Sequence, residues 1–301
     1  MVFRRAVRLT AVACALSACS VQHLAVDRLG DALAGSGATF SADDDPALVR
    51  DAAPFSLKLM ESLLAERPAH AGLLLAAARG FTQYAYGFVQ QGADEIEVED
   101  VTAAFAQRER ARRLYVRARG YGLRALAVAH PGIDTALRTQ AEAALAPTAA
   151  ADVPALYWTA AAWAAAIALS TDTPEAVADL PVVGAMMDRA LALDPGFDAG
   201  ALHTFMITFA MSRAGEAAPA ATARRHFDAA IALSHGRQAG PYLALAEAVA
   251  VAEQNRAEFL ALLDSALAID ADATPTHRLE TLILQRRARW LQGRVDELFL
   301  E

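Results

Sequence analysis

From Pro46 onward the chain repeats one kind of sentence: an apolar stripe at helical spacing, then a short helix-ending signature. Leu48, Ala52, Phe55, Leu59, Leu63 and Leu64 form the first stripe, introduced by Asp45-Pro46 and closed by Pro68. An acid before a proline is a helix cap followed by a residue pre-set for the first turn. The ending Ala190-Leu-Ala-Leu-Asp-Pro195 returns as Ala230-Ile-Ala-Leu-Ser-His235 and Ala266-Leu-Ala-Ile-Asp-Ala271, at steps of 40 and 36 residues. Segments of alternating β-branched residues with hairpin turn chemistry are missing. The pattern therefore predicts an all-α chain.

The expected helices cover 46–67, 70–90, 101–129, 134–146, 153–170, 180–193, 197–213, 217–234, 240–253, 256–268, 275–292 and 294–300, with an acidic loop at 94–100. Their period lies slightly above the roughly 34 residues of tetratricopeptide repeats. Ala223, Phe227 and Ala230 sit at offsets of that repeat, while its first-helix Trp and Gly are missing. The reading is a tetratricopeptide-like helical repeat array, an α-α superhelix occupying 46–301 as a single domain. Such arrays leave a concave face for partners or ligands.

The N-terminus reads as an address. Arg4, Arg5 and Arg8 precede an apolar run at 9–15 that is too short to span a bilayer. Leu16-Ser-Ala-Cys19 then has the form of a lipobox, in which the cysteine becomes the acylated first residue of the mature chain. Residues 1–18 are read as a lipoprotein signal peptide and Cys19 as the lipidation site. A plain secretory signal cut nearby is the alternative. Several acyl chains hold a protein stably at a membrane where one does not. Ser20, in place of Asp, favours the outer membrane over the inner, facing the periplasm. Residues 19–45, rich in Gly, Ala, Ser and Asp, are read as a tether.

Composition excludes several function classes. The net charge is -8 with a single lysine, Lys58, which argues against a nucleic-acid partner. Both cysteines, Cys14 and Cys19, lie in the first twenty residues, so the folded body has no thiol chemistry or cysteine metal site. Among the seven histidines no tight ligand pair occurs, and no nucleophile elbow or phosphate-binding glycine pattern is present. No enzyme activity and no cofactor are expected. The 43–45 acids suit a solvated leader and helix cap better than a calcium site. Arg108, Arg110, Arg112, Arg113, Arg117 and Arg119 crowd one helix, either as a salt-bridged face opposite the 94–100 acids or as a docking patch for an acidic partner.

One segment carries no charge over 18 residues: 153–170, with Tyr157, Trp158 and Trp163. Its alanines, Pro154 and the flanking Asp152 and Asp172 suit a buried helix rather than a membrane span. The aromatics there belong either to the core or to an apolar ligand cavity. His203, beside Phe205 and Met206, reads as a core or groove histidine rather than a metal ligand or base. Tyr157, Trp158, Trp163, His203 and Tyr242 are the residues put forward for a ligand channel.

Several segments together resemble the T component of TRAP transporters (tripartite ATP-independent periplasmic transporters). These are 41–46 and 48–55, Arg110-Ala-Arg-Arg-Leu-Tyr115 with Gly122-Leu-Arg-Ala-Leu126, Asp152-Val-Pro-Ala-Leu-Tyr-Trp158 through Trp163, Gly200-Ala-Leu-His203, Gly236-Arg237 with Pro241-Tyr242, and Arg287-Ala-Arg-Trp290. The similarity runs from the lipobox to Phe299. The resemblance implies a periplasm-facing lipoprotein of degenerate tetratricopeptide-like helices, trimeric, with a pore through each protomer. It also implies a TRAP-type solute-binding protein as partner and a small hydrophobic organic acid as cargo. It brings no catalytic residues. The rival expectation is an envelope scaffold lipoprotein that uses its concave face for protein contacts alone.

Overall fold

The computed structural model describes residues 26–300. Among them every regular element is helical and no strand occurs. Cys19 and the signal peptide lie outside the described residues. Residues 26–35 form α1, followed by α2 (Gly37–Ser41), α3 (Pro46–Glu66) and α4 (Ala71–Tyr84). The described part of the stretch read as a tether is thus helical and packed: Val26 and Leu33 lie against the apolar cluster of Leu57, Leu64 and Leu73. The ordered body begins well before Pro46, because these small-residue segments still carry an apolar face. Asp45 caps α3, accepting from the amides of Ala47 and Leu48.

The helix expected at 70–90 continues to 96, but not as one regular α-helix. After Tyr84 it widens into a π-helical stretch, Ala85–Gln90, and resumes as α5 (Gln91–Ile96). Asp94 and Glu95 therefore stand on a helix, and the acidic loop shrinks to 97–100. The 29-residue α6 (Val101–Ala129) follows, capped by Asp100. Then come the short α7 (Ile133–Ala136) and α8 (Ala141–Leu145), where one helix over 134–146 was expected. α9 (Val153–Ala168) lies within the charge-free segment, and no helix of the described residues is long and apolar enough to cross a membrane.

The rest of the chain adds α10 (Pro174–Val177), α11 (Leu180–Leu193), a 3-10 turn Phe197–Gly200, α12 (Ala201–Ala210) and α13 (Pro219–Ser234). It ends with α14 (Gly240–Leu245), a second π stretch Ala246–Ala250, α15 (Arg256–Leu267), α16 (Arg278–Gln292) and α17 (Val295–Leu298).

Neighbours in sequence are neighbours in space. α3 packs on α4, α4 on α6, α6 on α9, α9 on α11, α11 on α12, and so on to α15 on α16. α16 then returns against α2 and α3, closing the run on itself. Alanine does structural work in this arrangement. Ala111, Ala118 and Ala125 of α6 and Ala160, Ala162 and Ala166 of α9 are all buried. Small side chains let two helix backbones approach closely, and dense interiors reward that approach. The larger apolar side chains gather in clusters around Leu73, around Trp163 with Met186, and around Phe259.

Candidate functional site

A cavity of about 420 Å³ lies where the first and last helices meet. α2 contributes Phe40 and Ser41, α3 Leu57 and Met60, α4 Arg79, and α16 Glu280 and Ile283. The floor comes from the middle of the chain: Tyr115 of α6, Tyr157 and Trp158 of α9, and Phe205 of α12. The π stretch supplies Tyr86, Gly87 and Phe88. A π turn inserts one residue into the helical ladder and re-aims the side chains around it, a device found often at functional sites. Tyr86 lines this cavity with 40% of its surface uncovered.

The aromatic wall is ordered by ring packing. Tyr157 meets Trp158 edge-on at 4.9 Å between centroids and Phe197 at 5.5 Å. Burial raises the Tyr157 hydroxyl well above the usual phenol range, so it stays neutral. The Arg79 guanidinium sits 5.7 Å from the Trp158 ring centroid. Its other partners are neutral: it donates to Ser41 Oγ at 3.0 Å and to Gln83 Oε1 at 3.3 Å. No carboxylate of the described residues comes within 4.0 Å of Arg79.

A polar corner faces it, built from Asp198, Gln238, His277 and Glu280. Asp198 and Ala199 both have left-handed backbones, at φ 46° and 50°. Such conformations cost non-glycine residues energy and persist only where the surroundings impose them. Gly196 and Gly200 flank the pair, and Gly200, at φ 97°, sits where a Cβ would lie 3.2 Å from Ala230 Cα. The Asp198 carboxylate is 3.5 Å from His277 Nε2 and accepts no hydrogen bond from the described residues. Burial pushes this carboxyl above its ordinary range, opposed by His277 and Arg79. Glu280, 3.4 Å from His277 Nδ1, raises that imidazole against the effect of burial.

The sequence profile of the TRAP transporter T-component matches residues 42–299. The chain belongs to the TRAP transporter T-component family. It is also similar to an uncharacterized protein of Treponema pallidum (strain Nichols), at 33% identity over 269 residues, covering 87% of this chain and 83% of the relative.

In this T-component the channel residues read from sequence separate into two groups. Tyr157 and Trp158 line the cavity. Trp163 does not: it is 1% exposed, donates to Asp179 Oδ2 at 3.1 Å, and has the guanidiniums of Arg119 and Arg138 at 4.9 and 5.4 Å from its ring centroid. One and a half helical turns separate it from Trp158, which turns it to another side of α9. His203 also stands outside, with its Nδ1 2.9 Å from Nδ1 of His226 on α13. Tyr242 packs edge-on against Phe227 at 5.6 Å.

The cavity's own charged residues, Arg79, Asp198, His277 and Glu280, were not singled out from sequence. Only the Gly196 and Gly200 bracket around Asp198 hinted at special backbone there. The basic face of α6 resolves mainly into ion pairs. Arg108 bridges Asp94 and Glu97, Arg112 and Arg113 reach Glu109, and Arg117 reaches Glu61.

Proposed function

We propose that this T-component is a lipid-anchored, periplasm-facing accessory of a TRAP-type uptake system. In this reading it docks on a periplasmic solute-binding protein and holds a small hydrophobic organic acid in its central cavity. The observation that carries the ligand reading is Arg79: a guanidinium with no carboxylate partner among the described residues, lining a cavity walled by Tyr86, Phe88, Tyr157, Trp158 and Phe205. A half-buried guanidinium gains from a carboxylate through charge-assisted, bidentate hydrogen bonds. The aromatic wall offers the apolar burial that pockets of this size give small ligands. A solid interior would have favoured a scaffold acting through its outer surface alone.

Anchorage is assigned to Cys19, on the outer membrane in preference to the inner. The helix pairs are read as a degenerate tetratricopeptide-like array, and the assembly as a homotrimer. Support for partner contacts comes from exposed apolar side chains. Leu48 and Phe55 are 58% and 73% exposed, two turns apart on α3. Val98, Val101 and Phe105 are 71%, 67% and 72% exposed around the start of α6. Apolar side chains clustered at the surface are commonly contact sites. No catalytic step is assigned.

The test is a titration of the purified chain with 4-methylpentanoate and 3-phenylpropionate, followed by tryptophan fluorescence. Saturable binding is expected, weakened about tenfold or more by Arg79→Gln. Absence of saturable binding by every hydrophobic carboxylate tried would overturn the ligand assignment. Co-purification with a solute-binding protein encoded beside it tests the docking half independently. A Cys19→Ala chain released from the membrane fraction is the expected sign of the anchor.

A further inference from the structure

The polar corner of the cavity carries both signs of charge, which bears on which organic acids it prefers. Arg79 and the imidazole of His277 are matched there by the carboxylates of Asp198 and Glu280. Both carboxylates flank His277, but Glu280 is in hydrogen-bond contact with its Nδ1 at 3.4 Å, whereas Asp198, 3.5 Å from its Nε2, accepts no hydrogen bond from the described residues. Arg79 is the cation least satisfied, held by a hydroxyl and an amide oxygen. Both line the same space and act on each other through it, Arg79 favouring the charged form of Asp198.

A ligand with only a carboxylate would relieve Arg79 and place a second negative charge near Asp198. Like charges placed close together in a partly enclosed site repel, and such repulsion lets a site favour one ligand over another. A ligand carrying both signs relieves both groups at once. The left-handed backbone at Asp198 has the same implication. The backbone holds Asp198 at a φ of 46° in the cavity lining, and no described residue donates a hydrogen bond to its carboxylate.

Resting on the ligand reading above, we infer that the cavity selects a zwitterion of the hydrophobic α-amino-acid type, its carboxylate on Arg79, its ammonium on Asp198, and its side chain among Tyr86, Tyr157, Trp158 and Phe205. Gln238 stands in the same lining and offers a further polar contact to the ligand head. The ammonium gives Asp198 a hydrogen-bond donor, and the carboxylate gives Arg79 an acid, that the described residues do not supply.

The experiment compares two sets of three probes by calorimetry on the full chain: L-phenylalanine, 3-phenylpropionate and phenethylamine, and L-leucine, 4-methylpentanoate and isoamylamine. Within each set the apolar part is shared and only the charges differ. The amino acid should bind about tenfold or more tighter than either single-charge analogue in at least one set. Asp198→Asn should abolish that advantage while leaving the carboxylate analogue bound as tightly or more tightly. Asparagine is nearly isosteric and tolerates the left-handed backbone, so the variant keeps the fold.

Carboxylate analogues binding as well as amino acids, with Asp198→Asn silent, would overturn the zwitterion inference and leave the organic-acid reading standing. Tighter binding of the amines alone would overturn both the inference and the role of Arg79. Failure of all six probes to bind would overturn the ligand reading on which the inference rests.

Discussion

Gly122 of α6 faces Thr159 of α9 so closely that a Cβ at position 122 would lie 2.1 Å from the Thr159 Oγ1 and 3.1 Å from its Cα. The Thr159 hydroxyl is itself occupied, donating to Ala155 O. This pair sets how close the two central helices come, and α9 carries Tyr157 and Trp158 into the cavity. Gly122→Ala is therefore expected to destabilise the fold by about 1–3 kcal/mol through overpacking. Adding Thr159→Ala should recover part of that loss, because the clashing hydroxyl is gone. Urea unfolding of the two single variants and the double variant measures the coupling. Additive losses would show that the two positions do not meet.

The ring closure has its own electrostatic fastening. Arg287 of α16 reaches Asp94 of α5 at 2.9 Å and Glu247 of the second π stretch at 2.8 Å, and lies 4.3 Å from the Trp290 ring centroid. Arg287→Met keeps the stem and removes the charge. A loss of about 1–2 kcal/mol is expected, since two partly buried carboxylates lose a partner. Arg108 still holds Asp94, so Glu247 bears most of the change. Thermal or urea unfolding checks it, and an unchanged midpoint would contradict the closure argument.

The His203–His226 pair predicts an acid sensitivity. With Nδ1 facing Nδ1, one ring must donate and the other accept, so the pair is intact only when at least one ring is neutral. Burial lowers both imidazoles below the ordinary 6.5, and at His226 the His203 charge adds to burial. Arg225 and Arg213 lower His226 further, and Asp188 opposes them. Between the lowered values and 6.5 the unfolded chain binds more protons than the folded one, so stability falls as pH drops through 6.5. His277 works in the opposite direction, since its imidazole is raised. The expected signature is a steeper fall of Tm between about pH 7 and 5 in the natural chain than in a His203→Gln/His226→Gln variant.

The exposed apolar side chains give a prediction about assembly. Phe55→Glu and Phe105→Glu change residues that are 73% and 72% exposed, so monomer stability should shift by less than about 0.5 kcal/mol. If those side chains serve partner contacts, association with the solute-binding protein or self-association should weaken by about tenfold in at least one variant. Sedimentation of each variant, alone and with the partner, reads this directly. No change in either assembly would remove these surfaces from consideration.

The helical class was legible because it depends on local order. Asp45 before Pro46, Pro68 after the first stripe and the three Ala-Leu-Ala-type endings each act within a few residues. α11 (Leu180–Leu193) and α6 (Val101–Ala129) begin and end at the residues expected. Where the chain departs from regular α geometry the reading faltered. The π stretch at 85–90 is encoded by no local signal, because apolar spacing over 70–90 suits an α-helix equally well. The helices at 26–35 and Gly37–Ser41 escaped notice because Gly, Ser and Ala are weak helix evidence until an apolar face finds a partner.

The cavity shows the division most clearly. That Tyr157 and Trp158 belong to an apolar helix was written in consecutive residues, whereas their separation from Trp163 depends on which side of α9 meets which neighbour. Arg79, Asp198, His277 and Glu280 are scattered over about two hundred residues and share no spacing. They meet only because α16 returns to α2 and α3 and closes the helical run. Secondary structure follows from interactions a few residues apart, which a sequence displays. A charged corner inside a closed array is decided by which distant helices pack together, and that balance appears only when the whole chain has folded.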